Sequence, residues 1–202
     1  MKYLYKYPQG RFPYEHLITA NRERSKDEGE FELIDTGSFD EDRYFDVFVE
    51  YAKADTDDIL IKITAENRGP DDAQIHVLPT AWFRNKWVWN GSDPDRGMWS
   101  TRKGVIEMEC GPLGKRFLHC EGAGELLFTE NETNNERLFG TANRTAYVKD
   151  GINDHVVGGR PDTVNPNRTG TKASAHYIME VAAGDSITIR LRLSNKELTG
   201  AT

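Results

Sequence analysis

The sequence predicts an all-β fold: an antiparallel β-sandwich, supersandwich-like, with one short N-terminal helix and long loops. Three observations carry this. Apolar residues recur with a period of two, most clearly where Ile59, Ile61, Ile63 and Ala65 alternate with Leu60, Lys62, Thr64 and Glu66. Turn signals interrupt the chain repeatedly, as at Asn67-Arg68-Gly69-Pro70-Asp71-Asp72. Only one segment has helical spacing. Many short strands with a single helix pack as antiparallel sheets, face to face.

Taken in order, Phe12 to Arg24 is the expected helix. Pro13 suits a first turn, and Tyr14, Leu17 and Ile18 fall on one face. The charged run from Arg22 to Glu30 then leads out as a solvated segment. Residues 1–30 therefore read as an N-terminal extension, and residues 31–202 as the sandwich. Strands are expected at 31–35, 44–54, 59–66 and 74–78, the last two as a hairpin about the Asn67–Asp72 turn. Further strands are expected at 103–110, 115–121, 124–129, 145–149 and 174–182. A last strand carries Ile187, Ile189, Leu191 and Leu193 on one face, after the turn Ala183-Gly184-Asp185.

Two long segments, 84–100 and 150–172, show no regular period. Loops of this length in a compact domain are usually functional or disordered. All four tryptophans lie at or beside the first: Trp82, Trp87, Trp89 and Trp99. An indole in water is costly, so such a cluster either closes a core, with Trp82 and Trp87 inside, or meets a partner. Arg84, Asn85, Lys86, Asn90, Asp93, Asp95 and Arg96 are interleaved with them. Flat apolar faces beside amides and charges also suit a sugar, with its apolar C–H faces and equatorial hydroxyls.

Composition narrows the function classes. A net charge of −7 without a basic run argues against nucleic acid, because no surface would release counterions from phosphates. No 18-residue apolar stretch is present to span a membrane, and the opening Met1–Tyr7 lacks the apolar core of a signal peptide. A cytoplasmic location, or a fragment of a longer chain, is expected. If Gly111–Gly114 turns a hairpin, Cys110 faces Lys115 and lies about 17 Å from Cys120 at roughly 3.3 Å per residue, which predicts two free structural thiols. The glycosylation triplets at Asn90, Asn131, Asn143 and Asn167 read as chance without a secretory signal.

Chemistry within the chain is sparse. Glycoside hydrolysis needs a proton donor and a second carboxylate facing it. The tightest acidic group, Asp40-Glu41-Asp42, reads as a solvated turn. The five histidines lack metal-ligand spacing, and neither a nucleophile elbow nor a phosphate-binding glycine pattern occurs. No metal and no cofactor are expected. His155 stands out as a histidine in a long loop.

Three stretches carry a resemblance: Lys2 to Pro8, Phe39 to Tyr51, and Asn67-Arg68-Gly69 through Leu78-Pro79-Thr80-Ala81-Trp82-Phe83-Arg84-Asn85. With Lys149 to His155, Gly170-Thr171-Lys172-Ala173 and His176-Tyr177, they make the chain resemble the N-terminal region of bacterial glycoside hydrolase family 63 proteins. These are relatives of processing α-glucosidase and of mannosylglycerate hydrolase-like enzymes. The resemblance implies a non-catalytic β-sandwich whose partner is an (α/α)6 catalytic barrel of the same parent chain. No part of this sequence reads as that barrel, and no matched motif contains a catalytic residue. The fragment alone is expected to hydrolyse nothing. Loops of such a sandwich can close over the barrel mouth, which makes Trp87, Trp89, Asp150, Asn153 and His155 the candidates to face the barrel or its saccharide. Indoles would stack on the sugar, and Asp150 and Asn153 would bind its hydroxyls. The alternative is a stand-alone carbohydrate-binding module that uses the tryptophan-rich loop 84–100. A small complete enzyme is a third reading, with no motif behind it.

Overall fold

The chain alternates strand and turn through most of its length, as the period-two stripes require. The computed structural model describes residues 1–91 and 94–198, apart from the side chain of Pro112. Asp93, among the polar residues between the tryptophans, and Ser92, which completes the Asn90 triplet, lie outside them. The strands are β1 (Lys2–Pro8), β2 (Tyr44–Asp55), β3 (Asp58–Asn67), β4 (Ala73–Val77), β5 (Thr80–Trp82) and β6 (Arg96–Trp99). After these come β7 (Val105–Cys110), β8 (Gly114–Cys120), β9 (Glu125–Thr129), β10 (Thr169–Gly170), β11 (Lys172–Val181) and β12 (Ser186–Ser194). Helices are few and short: α1 (Tyr14–Glu23), α2 (Trp87–Asn90), α3 (Asn135–Phe139) and α4 (Gly151–Gly158). The fold class is the expected one, all-β with antiparallel sheets.

The chain divides into two units. The first holds Met1–Tyr51, Lys62–Ile75 and Met179–Ile189, and the second holds the remainder. In the first, β1 pairs with β2 along its whole length, from Lys2 opposite Glu50 to Pro8 opposite Tyr44. The order continues through β3 to β12. Phe45, Ile63, Ala65, Ile75, Val181 and Ile189 form its buried apolar set. Residues 1–30 hold both β1 and α1.

Asn67, fully buried, fixes the end of β3. Its amide donates to the Asp71 carbonyl at 2.8 Å and to the Val181 carbonyl at 2.9 Å. Its Oδ1 accepts from Gln9 Nε2 at 2.6 Å and from the Gly69 N–H at 2.9 Å. Asp46 is buried beneath two cations, with Lys6 at 2.6 Å and Arg68 at 2.8 Å.

In the second unit one sheet runs β12–β8–β7–β6–β10. The other centres on β11, which pairs with β4, β5 and β9. Strands β7 to β9 are largely buried; Ile106, Leu118, Leu127 and Phe128 are in the core, as are Ala173 and Ala175 of β11. Cys110 sits opposite Gly114, one residue from the expected Lys115. Both cysteines are buried free thiols.

Several elements differ from expectation. Residues 31–35 form no strand. The Glu32 N–H donates to the Asp35 carboxylate at 2.8 Å, a one-turn 3-10 helix follows over Leu33–Thr36, and Gly37 at φ 75° ends it. Residues 145–149 form no ladder either; the Tyr147 carbonyl and the Lys149 N–H make single bonds to the chain around Glu130 and Glu132. Strands β1, β5, β6 and β10 and helices α2, α3 and α4 were not expected, so the two long segments are partly regular.

Candidate functional site

Three connections of the second unit meet around a polar cleft of about 430 Å³. Its wall begins at Asn134, whose side chain caps α3 by accepting the Arg137 N–H at 3.1 Å. Asn143 returns to the same turn: its Oδ1 accepts the Asn135 N–H at 2.7 Å, and its amide donates to Asn134 Oδ1 at 3.1 Å. Helix α4 supplies the opposite wall. Ile152 of α4 packs with Leu127 and Val164, with Leu78 and Val156 against them. This anchors the helix and turns its acidic side to the cleft.

Gly151 opens α4 because nothing larger fits. A Cβ there would lie 2.2 Å from the Thr163 carbonyl oxygen. Thr163 also donates its hydroxyl to the Gly151 carbonyl at 2.8 Å, which locks the close approach.

Charge links the walls. Arg137 of α3 donates to Asp150 at 2.7 Å and to Asp154 at 2.7 Å. Asn134 adds two bonds of 3.2 Å to the Asp150 carboxylate, and Arg160 pairs with Asp154. Burial works against the charge on Asp154. The Arg137 hydrogen bond and the charges of Arg137 and Arg160 outweigh it and hold that carboxyl below the usual carboxylate range. An ionised carboxylate accepts hydrogen bonds and gives no proton. The cleft therefore offers hydroxyl acceptors from Asp150 and Asp154, amides from Asn134 and Asn143, and guanidinium N–H groups. Leu138 and Phe139 of α3 are exposed.

The sequence-predicted residues separate. Asp150 lies in the cleft, just ahead of α4. Asn153 is exposed on α4. His155 points elsewhere, with Nε2 3.5 Å from Glu125 of β9. Trp87 is only 4% exposed, and its indole N–H donates to Glu132 at 2.8 Å. Arg144 pairs with the same buried carboxylate. Trp87 is thus a core residue and offers no stacking face. Trp89 is 75% exposed and Trp82 is 61% exposed. The core-closing reading of the cluster put Trp82 inside, but it sits on β5 at a sheet margin with its ring outward.

Sequence reasoning missed Arg137, Asn134, Asn143, Arg160 and Glu132. A local signal existed for α3: Asn134 as cap with Gly140 closing at φ 67° is a helix-bounding pair. Nothing local pairs Arg137 with carboxylates 13 and 17 residues onward.

No helix among the described residues is long and apolar enough to cross a membrane. No known protein-family model matches the chain. It is 31% identical over 232 residues to the uncharacterized protein YMR196W of Saccharomyces cerevisiae. The match takes in 96% of this chain and 21% of the yeast protein, so the chain spans about a fifth of that relative's length.

Proposed function

We propose that this chain is a non-catalytic β-sandwich region of a longer family 63-like glycoside hydrolase, working in the cytoplasm. Its role is to support an (α/α)6 barrel of the same parent chain and to shape the entrance to a glucoside- or mannoside-binding site. The observation that carries the reading is the cleft of α3 and α4. Its carboxylates are tied to Arg137 and Arg160, which suits them to accept sugar hydroxyls, and the ionised Asp154 has no proton to give a glycosidic oxygen. The length of the yeast relative agrees with a region belonging to a larger protein.

Incubating the purified chain with aryl α-glucosides and α-mannosides tests this. No turnover is expected. Turnover abolished by Asp150→Asn or Asp154→Asn would overturn the reading.

The exposure of Trp82 and Trp89 favours a second reading, a carbohydrate-binding module that acts alone. Titration calorimetry with α-linked disaccharides separates the two. A scaffold gives no heat, whereas a module gives heat that Trp89→Ala removes.

A further inference from the structure

Away from the cleft, four chemistry-bearing side chains form a row across the β11 sheet of the second unit. His176 of β11 faces Glu125 of β9 as its register partner, and such partners project on the same side of a sheet. On the other flank His76 of β4 meets His176, with Nδ1 and Nε2 3.0 Å apart. Behind Glu125 stands His155 of α4, its Nε2 3.5 Å from the carboxylate. None of these contacts belongs to the polar cleft.

A hydrogen bond between two imidazoles uses one N–H and one lone pair, so both rings hold a nitrogen that a metal ion can take instead of the proton. Metal–imidazole bonds of about 2.0–2.1 Å place two nitrogens on one ion roughly 2.9–3.4 Å apart, for angles between 90° and tetrahedral. The observed 3.0 Å lies in that range. His176 is 7% exposed and held within the sheet. His76 is exposed, and the Glu125 side chain is 53% exposed.

We propose that His76, His176 and Glu125 bind a borderline divalent transition-metal ion such as Zn²⁺, with His155 orienting the Glu125 carboxylate from behind. Among the described residues no three His, Cys, Asp or Glu side chains already converge at bonding distance. Binding therefore turns the His76 ring and the Glu125 carboxylate toward the ion while His176 stays fixed in the sheet. Water completes the coordination. Histidine nitrogens with one carboxylate suit zinc, nickel or copper in preference to calcium or magnesium.

The test is calorimetric titration of the tag-free chain with Zn²⁺ at neutral pH, with Co²⁺ absorption to report ligand geometry. One ion per chain is expected, with a Co²⁺ spectrum that shows nitrogen ligation. His76→Ala should weaken binding at least tenfold, His155→Ala about tenfold through lost orientation, and His16→Ala not at all. His76 is exposed, so its variant keeps the fold; a matching melting curve verifies this. The proposal is overturned by absence of binding, by binding unchanged in His76→Ala, or by equal loss in His16→Ala.

Discussion

Asn67 shows how one side chain can hold several chain segments. It satisfies both amide donors and accepts two bonds while fully buried, so an isosteric carboxylate would put oxygens against the Asp71 and Val181 carbonyls. Asn67→Asp should cost about 2–4 kcal/mol, the range for stranding buried polar groups, read as a lower urea midpoint. Gly151 is required by space, with a Cβ blocked by backbone and not by a flexible tip. Gly151→Ala should lower stability by about 1–3 kcal/mol through overpacking, with the first losses of amide protection in α4.

His119 gives a pH dependence at the same scale. Desolvation, then the charge of Arg102, pushes its pKa below the ordinary 6.5. As pH falls through 6.5, the unfolded chain takes up a proton that the folded chain refuses. The folded state thus loses stability on acidification, and stability is retained above that value. Denaturant titrations at pH 7.5 and 5.5 should show the drop, and His119→Gln should make it smaller.

Elements here are held by partners distant in sequence. Helix α3 has five residues and no buried side chain, too little to be stable alone. Its cap at Asn134 and the Arg137 pairs to Asp150 and Asp154 fasten it to α4. Replacing Arg137 by Gln should loosen α3 and open the cleft while the sheets stay intact. Hydrogen exchange should then rise in Asn134–Gly140 and remain unchanged in β7 and β8. Ile152, by contrast, ties α4 to the apolar cluster with Leu127 and Val164, and Ile152→Ala should cost about 2–4 kcal/mol. Strand β2 adds a polar case: Asp46, on the face opposite Phe45, is buried because Lys6 and Arg68 cover it and compensate its charge.

At the scale of the molecule, the thiols report on folding. Cys110 and Cys120 are buried in β7 and β8, and burial pushes the Cys120 thiol up to about 12. The thiolate is the reactive form. A disulfide-forming reagent should therefore leave Cys120 unmodified in the native protein and react with it at the rate of unfolding. Prompt labelling of Cys120 would show that β8 opens independently of the rest.

The sequence by itself determined β3 and β12, whose apolar residues alternate because side chains two apart share a sheet face, and it placed β2, β4, β7, β8, β9 and β11 between its turn signals. It also determined α1, from helical spacing behind Pro13, and the two unpaired cysteines. The tertiary structure decided the rest. Strands β5, β6 and β10 are only two to four residues long and exist through their partners, so no period announces them. Trp82 and Trp87 are chemically alike, yet one faces solvent and the other is buried because Glu132, 45 residues further on, accepts its N–H. Asp150 was legible as a candidate in the long 150–172 segment, but the arginines that keep its neighbour Asp154 ionised reach it across a fold. Charge pairing and close packing depend on distances in space, and spacing along a chain does not encode them.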